Sequence, residues 1–225
     1  MLVNSRTNDR VFLKVRATSS SGAVAHSGKT TVHTFAVLLA RWQIVLTLFG
    51  PSILVSQEMP VPVRQHYPIL IKALTFDRHL KARCGNTIVL GLLYQSRVRQ
   101  SIRAENELTA IADSASPWFP GGYGIRVVPI DLSSEDRLEG RILAAGVNTL
   151  YVAPLRSIDV TRISAVARKN KILTLTGVPA YVEMGLSIGV RMRGGRPSLV
   201  INRPASKAEG ADLDSQILRL ARTIR

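Results

Sequence analysis

Thr87 to Tyr94 reads TIVLGLLY, eight uncharged residues with Gly85 and Asn86 in front and Gln95 and Ser96 behind. A continuous apolar run of strand length, closed by turn residues, marks a strand covered on both faces; the stretch therefore predicts a central strand of an α/β sheet. Upstream, Pro60 and Pro62 suggest an extended linker, and Pro68 suits a first helical position, whose amide has no intrahelical partner. A helix is predicted from there to about Lys81, with Ile69, Ala73, Phe76 and Leu80 as its buried stripe and Gly85 and Asn86 ending it.

Downstream, a helix is predicted from about Ser101 to Ala112. A loop follows over Ser116 to Gly124 (SPWFPGGYG), then a strand over Ile125 to Pro129. Ser133 and Asp136 have capping-box spacing ahead of a helix through Leu138, Ile142 and Ala145 that Gly146 ends. Thr149 to Ala153 gives a third strand, Ile158, Ile163, Val166 and Ala167 line a third helix, and Lys171 to Thr176 (KILTLT) gives a fourth strand. Ser187 to Arg193 and Ser198 to Asn202, joined through Gly194 and Gly195, predict an antiparallel hairpin. A last helix from about Ala205 carries Leu213, Ile217, Leu220 and Ile224 on one side. The fold class is thus α/β: a mainly parallel four-stranded sheet extended by an antiparallel C-terminal hairpin, with helices on both faces and a C-terminal helix. No internal repeat is visible.

The 225 residues are 46% apolar and 20% charged, which suits one globular core. The formal charge is +15; residues 1 to 56 hold six Lys/Arg and one acid, leaving 24 against 14, or +10, in the remainder. A basic balance favours an anionic partner. Nucleic acid fits poorly, because Arg97, Arg99 and Arg103 form the densest basic group and no aromatic residues interleave with them. Cys84 is the only cysteine, which excludes an intramolecular disulfide, a Cys-based zinc site and a paired redox motif. In an oxidising compartment it could pair only between chains, and a second copy of this chain is one candidate partner.

Residues 1 to 34, rich in Ser, Thr, Gly and Arg, suggest a disordered or mis-started leader. The stretch Gly22 to Thr31 (GAVAHSGKTT) misses the phosphate-loop spacing, since five residues rather than four separate Gly22 from Gly28. Residues 35 to 56 have the parts of a signal peptide: Arg41, the apolar run Trp42 to Gly50, Pro51 and a small residue, Ser56, after which cleavage is expected. An uncleaved inner-membrane anchor and a buried core helix are the alternatives, and Arg41 and Pro51 weigh against the anchor. Residues 57 to 66 are read as linker and 67 to 225 as the domain.

Ligands of an open parallel sheet bind beyond the carboxyl ends of its strands, here Gln95 to Arg97, Pro129 to Asp131, Ala153 to Arg156 and Thr176 to Val178. Only Asp131, Arg97 and Arg156 among these carry charge. His66 and His79 lie thirteen apart, no metal spacing, and are expected on the surface. No Gly-x-Ser-x-Gly elbow is present, and Gly121-Gly122-Tyr123-Gly124 precedes a strand, which suits a turn better than a dinucleotide loop. The acid pairs Glu105 and Glu107, Glu135 and Asp136, and Asp212 and Asp214 are expected as solvated faces and caps. Glu183 stands out as an acid within the otherwise apolar segment Thr176 to Gly185. Arg97, Asp131, Arg156, Thr176, Glu183 and Asn202 are the candidate contacts to a partner or ligand; no catalytic residue, metal site or cofactor is assigned.

Over about residues 67 to 224 the chain resembles the YfiR family of small exported α/β domains. The matching stretches are YPILIKALTFDRHL (67–80), TIVLGLLYQ (87–95), TGVPAYVEMGLSIGV (176–190) and INRPASKAEGADLDSQILRLA (201–221). In the last, Asn202, Ala205, Ala208, Gly210, Leu213, Leu218 and Ala221 fall at the family's positions. The resemblance implies a periplasmic, non-enzymatic regulator without a cofactor. Its partner would be a membrane signalling protein such as a diguanylate cyclase, docked through its periplasmic sensor domain. The single cysteine departs from better-known members and puts disulfide-based control in doubt. The alternatives are a periplasmic domain for a small anionic solute and, less favoured, an unrecognised hydrolase.

Overall fold

The computed structural model describes residues 58–114, 121–133 and 137–224. The expected leader and signal segment lie outside these, as do Glu135 and Asp136. The described residues belong to one compact unit, and among them no helix is long and apolar enough to cross a membrane.

Among the described residues seven strands form one mixed sheet: β1 (Thr87–Tyr94), β2 (Gly124–Asp131), β3 (Thr149–Val152), β4 (Leu173–Thr176), β5 (Ile188–Arg193), β6 (Arg196–Asn202) and β7 (Arg222–Ile224). Their order is β2-β1-β3-β4-β5-β6-β7. The first five are mutually parallel, β6 returns antiparallel to β5, and β7 runs parallel to β6. The parallel part therefore has five strands rather than four, because β5 of the expected hairpin also pairs with β4 through Leu175 and Thr176.

β1 is central, as its apolar run requires. Ile88, Leu90 and Leu92 join one apolar cluster with Leu70, Leu74 and Leu108, while Leu93 joins a second with Leu150, Ile142 and Ile163. Gly91 supplies the close approach: a Cβ there would lie 2.8 Å from Leu150 Cδ2 and 2.9 Å from Val147 Cγ1.

The helices are α1 (Val63–Leu74), α2 (Leu80–Cys84), α3 (Arg99–Ser114), α4 (Leu138–Ala144), α5 (Val160–Lys169), α6 (Pro179–Glu183), α7 (Arg203–Ala208) and α8 (Ser215–Leu220). Three expectations are corrected. The first helix starts five residues before Pro68, which lies inside it. Burial of Val63, His66, Tyr67, Leu70, Ile71 and Leu74 along one stripe outweighs the amide that Pro68 lacks. The helix also stops at Leu74, and Asp77 forms an isolated bridge with Leu213 before α2 begins.

The expected capping box does not form its Ser133 half within the described residues. The Ser133 hydroxyl donates to Asp131 Oδ1 at 2.7 Å, and Arg137, in the left-handed region at φ 66°, precedes α4. Gly146, at φ 61°, does follow α4 as its terminator.

The single C-terminal helix is two short ones and a strand. Gly210, at φ 87°, follows α7, Asp214 caps α8 by accepting from Gln216 N, and the chain turns extended at Ala221 to form β7. Leu213 is held in the Asp77 bridge, Ile224 lies in β7, and Leu220 is 76% exposed, so the expected stripe does not exist.

Candidate functional site

Strand order reverses at β1, which connects onward to β2 on one side while β3 flanks it on the other. An α/β sheet of this order opens a crevice between the carboxyl ends of β1 and β3. Three loops meet there and are tied by hydrogen bonds. Ser96 N and Ser133 N donate to Asp131 Oδ1 at 3.0 and 2.9 Å, and the Ser96 and Ser133 hydroxyls lie 2.8 Å apart. Gln95 Oε1 accepts from Arg156 N at 2.6 Å, and Gln95 N donates to Ser101 Oγ at 2.8 Å. Burial raises the Asp131 pKa, but the hydrogen bonds from Ser96 and Ser133 outweigh it and pull the carboxyl down to about 2. Arg97 and Arg156 are exposed beside this staple, and neither guanidinium has a hydrogen-bond partner among the described residues.

Against the same edge lies a cleft of about 340 Å³, lined by Met59, Pro60 and Pro62 on one wall and by Gln100, Arg103 and Glu107 of α3 on another. Arg103 Nε donates to Glu107 Oε1 at 2.9 Å, one turn along the helix, with the arginine largely in solvent.

The wall at residues 59–62 is pinned from below by His66. This histidine is fully buried rather than on the surface, because it occupies the core stripe of α1. A carbonyl can only accept, so His66 Nδ1 carries the hydrogen given to Val61 O at 2.8 Å, leaving Nε2 to accept from Tyr151 Oη at 2.8 Å. Burial lowers its pKa, against hydrogen bonds to the backbone at Val61 and Pro62, which keeps the ring neutral for that role. His79, by contrast, is exposed.

The remaining candidate residues stand apart from the crevice. Thr176 is fully buried, its hydroxyl donating to Val152 O at 2.9 Å and accepting from Val178 N at 3.0 Å. Asn202 caps α7, with Oδ1 accepting from Ala205 N at 3.0 Å and Nδ2 donating to Val182 O at 3.0 Å. Glu183 is exposed at the end of α6 and faces Arg222 Nη1 at 3.4 Å. The structure thus brings Asp131, Arg97 and Arg156 to one edge, and gives Thr176 and Asn202 backbone hydrogen bonds in the interior.

One buried constellation went unread in the sequence. Glu209, fully buried after α7, accepts from Thr174 N at 2.8 Å, from Thr174 Oγ1 at 2.9 Å and from the Ser187 hydroxyl. Burial raises its pKa to about 7, partly offset by those hydrogen bonds and by nearby Arg168. A single carboxylate thereby joins β4, the start of β5 and the end of α7. The one signal for it was the alternation in KILTLT, where Thr174 and Thr176 interrupt a strand otherwise buried on both faces and so require polar partners inside. Ser187 with Glu209 has the composition of a nucleophile and base, and both are fully buried. A second buried pair, Asp77 with Arg83 at 2.7 Å, ties the turn before α2 to Asp212 N, which donates to Asp77 Oδ1 at 2.8 Å. Cys84 is buried, and burial raises its pKa. Among the described residues no group of His, Cys, Asp and Glu could hold a metal ion.

No curated protein matches the chain. Several solved structures are similar, three of which follow. One is the ABC domain in complex with L-Trp from Streptococcus pneumoniae, at 14% identity and TM-score 0.49, covering 69% of this chain and 62% of that one. A conserved domain protein from Vibrio cholerae shares 14% identity at TM-score 0.47, covering 73% and 60%. The ligand-free, open form of a substrate-binding protein with adhesive properties from Clostridium difficile shares 16% at TM-score 0.45, covering 68% and 59%. The chain spans about three fifths of the length of each. A family model described as YfiR/HmsC-like matches residues 86–222, from the turn before β1 to the start of β7. That match takes in more than half the chain and every strand pairing from β2 to β6, and the chain belongs to the YfiR/HmsC-like family.

Proposed function

We propose that this protein is an exported, periplasmic adaptor that regulates a membrane signalling protein by binding its periplasmic sensor domain, a diguanylate cyclase being the model partner. Family membership over residues 86–222 is the observation that carries this reading. The edge at Gln95–Arg97, Asp131–Ser133 and Arg156 is its docking surface: internal hydrogen bonds fix the loops in place, and two exposed arginines, without a side-chain partner among the described residues, project from them. A rigid backbone loses little freedom on association, and exposed arginines favour an acidic counterpart. The protein shifts its partner between two states by differential affinity and breaks no covalent bond in doing so. Residues 35 to 56 act as the signal peptide, with an uncleaved anchor as the alternative topology.

Two experiments test the reading together. The chain carrying a C-terminal tag is expected in the periplasmic fraction with its N-terminus after Ser56, and to co-purify with a membrane cyclase or sensor. Deleting its reading frame is expected to raise cyclic-di-GMP in cells. Recovery with cytosolic proteins, or unchanged cyclic-di-GMP in the deletion strain, would overturn it.

A second reading is capture of a small anionic solute at the carboxyl edge by the exposed Arg97 and Arg156. A rise in melting temperature with candidate anions, absent in Arg97→Gln/Arg156→Gln, would favour it over the adaptor.

A further inference from the structure

We propose that the hairpin of β5 and β6 is an arm that rests on an anionic lipid surface. β4 pairs with β5 only through Leu175 with Ile188 and Thr176 with Gly189, and β7 reaches β6 only from Val200 to Asn202. β5 runs on from Val190 to Arg193, about 13 Å past its last partner in β4, with β6 from Arg196 to Leu199 alongside it. Gly194 and Gly195, at φ 54° and 74°, close the tip in the left-handed conformation that a two-residue hairpin turn requires.

Strand pairing sorts the arm into two faces. Arg191 stands opposite Ser198 and Arg193 opposite Arg196 on one, while Val190 and Met192 stand opposite Leu199 and Pro197 on the other. Val190 and Leu199 pack into the core, which leaves Met192, 39% exposed, as the apolar end of the arm. Arg193 and Arg196 are exposed, and none of the three arginines has an acidic partner among the described residues. Like charges directly opposite one another repel and weaken a hairpin, so Arg193 against Arg196 calls for anions from outside the chain. On a projecting tip these side chains can meet an array of phosphates but cannot enclose a single one. Nucleic acid fits poorly, since no aromatic residue lies between Ile188 and Asn202 to stack on a base. An anionic bilayer satisfies both faces: its phosphates accept from the guanidiniums, and Met192 enters the interface beneath them.

Vesicle binding needs no partner protein, so the arm stands or falls apart from the adaptor reading. Sedimentation of the full chain tests it, with vesicles of equal parts phosphatidylcholine and phosphatidylglycerol against phosphatidylcholine alone. At about fivefold for each arginine, binding to the anionic vesicles is expected to weaken about a hundredfold in Arg191→Gln/Arg193→Gln/Arg196→Gln. It is expected to stay near the parent's in Lys72→Gln/Lys81→Gln/Arg126→Gln, which removes the same charge from exposed positions elsewhere. Raised salt is expected to act as the arm variant does. A polarity-sensitive dye on Met192→Cys is expected to shift to the blue with the anionic vesicles alone, which reads the tip itself whatever residues 35–56 do; Cys84 is buried and does not compete for the label. The arm variant is expected to melt no lower than the parent, since it removes a repulsion. Equal binding to the two compositions, undiminished binding in the arm variant, equal loss in the second triple variant or a dye that does not shift would each overturn the arm. Absence of vesicle binding together with a protein cross-linked at position 193 would give the arm to a protein partner and overturn the lipid assignment.

Discussion

Asp131 and Glu209 each accept hydrogen bonds from a serine hydroxyl and a backbone amide, yet their pKa values move in opposite directions. Asp131 stands at the carboxyl edge, and its Oδ1 takes all three bonds from Ser96 and Ser133. Glu209 stands in the interior, where loss of water outweighs three donors. Similar chemistry therefore serves two purposes. At the edge it holds a charge in solvent and braces the loops beside Arg97 and Arg156; in the interior it clamps two strands to the segment that the family shares.

Removing the interior clamp has the largest expected effect. Glu209→Leu leaves the Thr174 amide and two hydroxyls without an acceptor and is expected to cost about 4 kcal/mol in urea unfolding. A loss under about 1 kcal/mol would mean the cluster contributes little to the fold.

Next in size is the pH dependence. Glu209 titrates at about 7 when folded against 4.5 unfolded, so the folded state retains a proton between those values. Its contribution is full below pH 4.5 and is lost as pH rises through 7, by about 3 kcal/mol. Glu209→Gln is expected to flatten that slope in denaturant melts across the range. Asp131 works in the other direction: lowered to about 2 from 3.8, it stabilises above pH 3.8, and that contribution disappears as pH falls through 2.

Smaller effects sharpen the contrast. Asn202→Ala removes the cap of α7 and is expected to cost about 1 kcal/mol, read from the shift in the thermal midpoint. Glu183→Gln breaks only an exposed pair and is expected to change stability by less than about 0.5 kcal/mol, measured the same way.

Much of the sheet was legible because its strands are bounded by turn chemistry. TIVLGLLY, the hairpin around Gly194 and Gly195, and the alternation of strands with helices all read directly. The errors arose where a residue's local preference and its tertiary partner disagree. Pro68 signals a helix start, but the apolar stripe from Val63 carries the helix through it. His66 is polar by type, yet Val61 and Tyr151 satisfy both ring nitrogens inside the core. The C-terminal stretch has helical periodicity, but Gly210, the Asp77 bridge and pairing with β6 divide it. The placement of Arg97, Asp131 and Arg156 at the carboxyl ends of parallel strands was legible because each ends or follows a strand marked by its apolar run. Glu209 itself was not legible: KILTLT signals that Thr174 needs a buried polar partner, but Glu209 lies 35 residues from Thr174 and 22 from Ser187.

The proposed division between a docking edge and a structural interior meets its most direct test in cells. On the proposed function, a photo-cross-linking residue at position 97 is expected to form an adduct with a membrane protein that has a periplasmic sensor domain. The same residue at position 193, on the hairpin tip, is expected to form none. Equal adducts from both positions, or an adduct from 193 alone, would contradict the assignment of the carboxyl edge.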